Sequence, residues 1–144
     1  MCSDNFQVGA RAGILMDDLK HPHTEAAGQI DATLVRQCLQ TGDAKLALQY
    51  CHELLAINPN HTQTLIFAVL ASRSLGWLDE ALGFINQALM VAPNEPVIHS
   101  LMGDVLLLKN MPEQALSALL NGQEFGDSSA QIRFNIGSAY LALN

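Results

Sequence analysis

The residues able to do chemistry are few, and their spacing works against catalysis. Cys51 and His52 come nearest to a nucleophile with its base. Neighbours on a helix point about 100° apart, however, so the two share no face. Cys51 also stands where Ile85 and Leu119 stand at equal steps further along, which makes it a core thiol. Cys38 falls on the packing side of its own helix. His21 and His23 flank Pro22, and two imidazoles without a third ligand make a poor zinc site. Asp17-Asp18 and Asp79-Glu80 lack the loop of a calcium site. Asp79-Glu80 falls in the first turn of a helix, where negative charge offsets the dipole. His61 and His99 stand alone, and the sequence has no glycine-rich phosphate loop. The expectation is a protein that is not an enzyme, with no catalytic residue, no metal and no cofactor.

Composition narrows the partners. Hydrophobic residues make up 49% of the 144 and charged residues only 15%, against roughly a quarter in a typical globular domain. Such a chain buries apolar surface on a partner, or it belongs to something longer. Fourteen acidic residues against seven basic give a formal charge of -7. The seven cations are dispersed, so there is no stripe to neutralise phosphates. Nucleic acid and anionic membrane surfaces are therefore not expected as partners. Three cysteines do not make a disulfide framework, and they fit a reducing compartment, the cytoplasm. The opening MCSDNFQVGARAGILMDDLK does not read as a secretory signal, and no apolar run is long enough for a membrane span.

The elements that position these residues follow one period. Pro59 and Pro93 are 34 residues apart, as are Gly42, Gly76 and Asn110, with Asn144 one step further. Ala47, Ala81 and Ala115 keep the same step, and so do Leu48, Leu82 and Leu116. Val69, Gly103 and Gly137 form a further series. Several series agreeing on one interval indicate a repeating unit. Within a unit the apolar residues recur with helical spacing. Leu65, Ala68, Val69 and Ser72 share one face, and Leu78, Ala81, Leu82, Ile85, Ala88 and Leu89 share another. Gly42, Gly76 and Asn110 are expected at tight helix-helix turns that need positive φ. Pro59 and Pro93 are expected to stop second helices. Asn60 or Thr62, and Asn94 ahead of Pro96, are the expected caps or first-turn residues of the next helix. In GDSS, Asp127 stands where a third proline would be.

A 34-residue helix-turn-helix with these small residues and a closing proline resembles the tetratricopeptide repeat. Aligned on the proline, the units are 28–61, 62–95 and 96–129, with a half unit at 130–144. Residues 1–27 form an N-terminal leader or capping helix outside them. Ile136, Gly137 and Tyr140 match the family's first-helix pattern well, while Asp31, Leu65, His99 and Arg133 occupy its aromatic site. The resemblance implies an all-α fold, a right-handed α-α superhelix whose first helices line a concave groove. A half unit at the end leaves Ile136, Tyr140 and Leu143 without a covering helix. The expectation is a piece of a longer protein, or self-association there as a homo-oligomer.

The resemblance also implies where a partner would bind. Carried over, the groove-facing positions are Arg36, Gln63, Ile66, Phe67, Leu70, Arg73, Val97, Leu101, Asp104, Phe134 and Asn135. One branch of the family clamps a terminal carboxylate with lysines and asparagines. Here Arg36 and Arg73 are the only donors nearby, so that clamp is not expected. What remains is an apolar strip for a peptide or helix of a protein partner. An exposed Phe67 beside Leu101 would mark a binding surface, and a buried one would mean core. The groove could instead be filled by residues 6–19. The implied function is a scaffold or adaptor. The alternatives are the substrate-recruiting region of a larger glycosyltransferase, sulfotransferase or methyltransferase, or a secretion chaperone.

Overall fold

The computed structural model describes residues 30–144. The expected leader helix within 1–27, and its filling of the groove, lie outside the described residues. The chain divides after Leu34, and Val35–Asn144 form the second unit. Seven helices and no strand occur among the described residues. They are α1 Ala32–Gln40, α2 Ala44–Ile57, α3 Thr62–Ser74, α4 Leu78–Val91, α5 Pro96–Leu108, α6 Pro112–Glu124 and α7 Ala130–Leu143. The period is visible in where they start. Helices α2, α4 and α6 begin at Ala44, Leu78 and Pro112, while α3, α5 and α7 begin at Thr62, Pro96 and Ala130. Asp31 precedes α1 instead of lying within a first helix, and its Oδ1 accepts the N–H groups of Thr33 and Leu34.

Gly42, Gly76 and Asn110 have φ of 84°, 78° and 63°. Each closes a first helix in the same way. The amide after it donates to a carbonyl five residues back: Asp43 to Cys38, Trp77 to Ser72 and Met111 to Leu106, at 2.8–2.9 Å. That is the left-handed helix stop in which glycine removes a steric penalty and asparagine tolerates it. Helix α6 ends by the same device, with Gly126 at positive φ and Asp127 donating to Gly122. This explains how the third unit closes without a proline. Thr62 opens α3 as a first-turn residue, as expected, but neither Asn60 nor Asn94 is a cap. Asn60 sits inside the Asn58–Asn60 turn, where its N–H is held by the Asn58 side chain. His61 is therefore the residue that caps α3, its Nδ1 accepting from the Thr64 N–H and hydroxyl. Glu95, not Asn94, precedes Pro96 at the start of α5, without a side-chain cap.

Consecutive helices from α2 to α7 pack antiparallel, and α5 also touches α3 and α7, so the first helices of successive units adjoin. This is an all-α helical-repeat solenoid. Leu65, Val69, Ala81, Ile85, Ala88, Ile98 and Val105 form one buried cluster spanning α3, α4 and α5. Leu119, Ile132 and Ala139 form another between α6 and α7. Ala47, Ala81 and Ala115 are all fully buried, as close crossing of paired helices requires. At the far end, Ile136 packs on the α6–α7 cluster, whereas Tyr140, Leu141 and Leu143 are exposed. Ser72 is buried too, and its Oγ has no hydrogen-bond partner among the described residues. Ser72→Ala removes that desolvated hydroxyl and improves helix propensity. It is expected to raise stability by about 1 kcal/mol in urea unfolding.

Candidate functional site

Helices α3, α5 and α7, with the α6–α7 loop, line an open cavity of about 270 Å³. Ile66, Leu70 and Arg73 reach it from α3, and Val97, Leu101 and Asp104 from α5. Both triplets have i, i+4, i+7 spacing, which sets three side chains in one stripe along a helix. Asn135 joins them from α7, beside Gln131 and Ile132. Seven of the groove positions expected from sequence thus meet in one place, and its walls are mainly apolar.

The other four do not. Phe67 is only 6% exposed, so it is core rather than contact surface. The Arg36 guanidinium lies over its ring, 5.8 Å from the centroid, and is spent there. Gln63 sits exposed in the first turn of α3 outside the cavity, and Phe134 is exposed on α7, likewise outside it. The continuous strip expected through Phe67 and Phe134 is therefore interrupted. Its apolar part is Ile66, Leu70, Val97 and Leu101, with Ile132 added.

Two residues absent from the groove positions expected from sequence shape its polar side, Asp127 and Ser129. Their signal lies in GDSS: an aspartate two residues before a serine that caps a helix. Ser129 Oγ accepts the Ile132 N–H at 3.3 Å, and the Ser129 N–H donates to Asp127 Oδ1 at 2.9 Å. The Ser100 hydroxyl donates to Asp127 Oδ2 at 2.5 Å. Burial pushes the Asp127 carboxyl up, but the bonds from Ser100 and Ser129 outweigh it and hold it below the usual carboxylate value. Gly122 makes this closure possible, because a Cβ there would stand 2.7 Å from Ser100 Oγ. Arg73 donates to Asp104, tying α3 to α5 across the cavity wall. Gln131 Nε2 donates to Asn135 Oδ1 at 3.1 Å.

The reactive side chains lie elsewhere. Cys51 is fully buried, and burial first, then the neighbouring Cys38, pushes its thiol up to about 12. Burial and Asp43 raise Cys38 as well. A thiol so held does not supply the thiolate that nucleophilic chemistry needs. His52 Nε2 faces Glu80 Oε2 at 3.5 Å on the surface. His99 Nε2 lies 2.7 Å from the Pro93 carbonyl, its ring tilted against Phe125. No group of three or more His, Cys, Asp and Glu side chains among the described residues is placed to hold a metal. No helix among them is long and apolar enough to cross a membrane.

Residues 39–105 match the family model of the tetratricopeptide repeat. No curated protein matches the chain. The first TPR domain of human RPAP3 is similar in structure, with a TM-score of 0.75 at 13% identity over 78% of this chain and 88% of that one. So is the Yersinia enterocolitica type III secretion chaperone SycD, solved in complex with a peptide of the translocator YopD. There the TM-score is 0.73 at 15% identity, over 86% of this chain and 99% of that one. The Thermobaculum terrenum O-GlcNAc transferase matches with a TM-score of 0.72 at 21% identity, over 83% of this chain but 23% of that one. At these identities the likeness is one of fold. The 34-residue step, the helix pairs closed by left-handed turns and the family match agree: residues 39–105 of this chain are tetratricopeptide repeats.

Proposed function

We propose that the chain is a non-enzymatic interaction module that receives an apolar segment of a protein partner between α3, α5 and α7. One observation carries the reading. Ile66, Leu70, Val97 and Leu101 line an open cavity on the first-helix side, where a self-contained core would have filled the space. The fold shared with SycD, which was solved with a translocator peptide, supports a peptide as the kind of guest. Two buried, free thiols at Cys38 and Cys51 suit a reducing compartment, the cytoplasm.

Peptides selected from a random display library and titrated by calorimetry test the proposal. Leu101→Asp is expected to weaken a selected peptide at least about tenfold by placing a charge against its apolar side chain. Met90→Asp, at an exposed site on α4, is expected to leave binding unchanged. Peptides that bind both variants equally well would remove the groove from the reading.

A further inference from the structure

We propose that the groove selects a segment in which an apolar side chain is followed by lysine or arginine, the cation meeting Asp127. This rests on the groove reading above and specifies its guest. The argument is one of charge complementarity. Among the described residues lining the cavity there is one guanidinium, on Arg73, and two carboxylates, on Asp104 and Asp127. Arg73 is committed to Asp104. Among the described residues Asp127 is left with neutral donors only, the Ser100 hydroxyl and the N–H and hydroxyl of Ser129. The nearby Arg133 is turned to the Ser128 carbonyl at 2.6 Å, and Arg36 lies over Phe67.

A half-buried carboxylate beside apolar walls, with no counter-ion among the described residues, gains from a cation that a guest brings. The two Asp127 oxygens offer about four acceptor sites, so three neutral donors leave room for an N–H of a guanidinium or ammonium group. The hydrogen bonds that hold Asp127 ionised also fix its direction, so the charge is preorganised for the guest. An acidic guest finds no free cation in this lining and faces Asp104 and Asp127. The cavity volume of about 270 Å³ falls just below the roughly 300–1,000 Å³ of small-molecule sites. It suits an anchoring side chain rather than a whole helix. The formal charge of -7 on the chain draws basic segments in the same sense.

The test uses the library-selected peptides with wild type, Asp127→Asn and Leu101→Asp. Asparagine keeps one acceptor oxygen for the Ser129 N–H and turns an amide NH2 to the Ser100 hydroxyl, which can accept it while donating to the Pro96 carbonyl; circular dichroism melts establish that the variant folds. Selected peptides are expected to pair an apolar residue with a lysine or arginine. Asp127→Asn is expected to weaken them about tenfold, and replacing the peptide cation by glutamine to weaken wild-type binding by a like factor. The two changes together are expected to cost little more than either alone. Leu101-dependent peptides that are neutral or acidic, or that Asp127→Asn leaves within about twofold, overturn this proposal and leave the groove reading standing. So does an Asp127→Asn loss equal for cationic and glutamine peptides, which marks a structural effect. A library without any Leu101-dependent peptide overturns both.

Discussion

Ile85→Ala is expected to lower the free energy of unfolding by about 3 kcal/mol in urea, with an unchanged slope against denaturant. Ile85 is fully buried in α4, in one cluster with Leu65 and Val69 of α3 and with Ile98 and Val105 of α5. Its side chain therefore serves contacts within a helix pair and contacts to the next pair at once. Truncation removes the transfer free energy of the lost methylene and methyl groups and leaves a void. Helices on both sides are held by their own turns at Gly76 and at Ala92–Glu95, which limits collapse into that void. In an array where stability is carried by nearest-neighbour interfaces, damage at one such contact weakens the coupling of its neighbours. Met90→Ala on the same helix is the control. That side chain is 85% exposed, and its loss is expected to change stability by less than about 0.5 kcal/mol. Equal effects at the two positions would mean that the α3–α4–α5 cluster is not a core.

Period and turn chemistry are local properties, and residue types along the chain are enough to reveal them. Gly42, Gly76 and Asn110 are recognisable because a helix stop at positive φ leaves a chemical signature at one residue. The fully buried Ala47, Ala81 and Ala115 are recognisable because steric closeness repeats with the unit. The cap of α3 is not, since His61 takes that role only because Asn58, two residues ahead of Asn60, draws Asn60 into a turn of its own. A competition between two polar residues for one backbone position is decided by geometry that residue type alone does not contain.

The groove is half legible for a related reason. The resemblance to the repeat family puts Ile66, Leu70, Val97 and Leu101 on one groove, and all four line one cavity; helical spacing alone tells only which face of its own helix a residue occupies. Neither tells how far a side chain is covered by the adjoining helix. Phe67 is one step round from Ile66 and is covered, with Arg36 over it. Pairings between units are harder still. Arg73 with Asp104, and Ser100 with Asp127, join residues about one repeat apart whose meeting depends on how neighbouring units are offset. These two pairings decide the electrostatic character of the cavity. Arg73, by its position a donor for a guest, is paired with Asp104, while the carboxylate without a cation among the described residues belongs to a loop residue that stands in the period as a substitute for proline.

Gly103→Ala and Gly137→Ala, at equivalent positions one repeat apart, are expected to change stability in opposite directions. Two effects compete at each site. Alanine in a helix interior is favoured over glycine by about 0.8–1.0 kcal/mol, and a new methyl group needs space. At Gly103 the space is taken. A Cβ there would run into the Leu119 side chain and stand 3.1 Å from the Ala115 carbonyl oxygen. Leu119 is itself fully buried against Ile132 and Ala139, so its displacement spreads into the α6–α7 cluster. Overpacking of that kind costs about 1–3 kcal/mol; with two Leu119 carbons in the way the cost lies in the upper part of that range, and a net loss of up to about 2 kcal/mol follows. At Gly137 nothing lies within 4 Å of the added carbon. The propensity term acts alone there, and Gly137→Ala is expected to stabilise by about 0.5–1 kcal/mol. Thermal and urea unfolding of the two single variants reads the difference directly. A gain at Gly103 would mean that α5 and α6 do not cross as closely as the structure places them. A loss at Gly137 would mean that in solution something covers this face of α7.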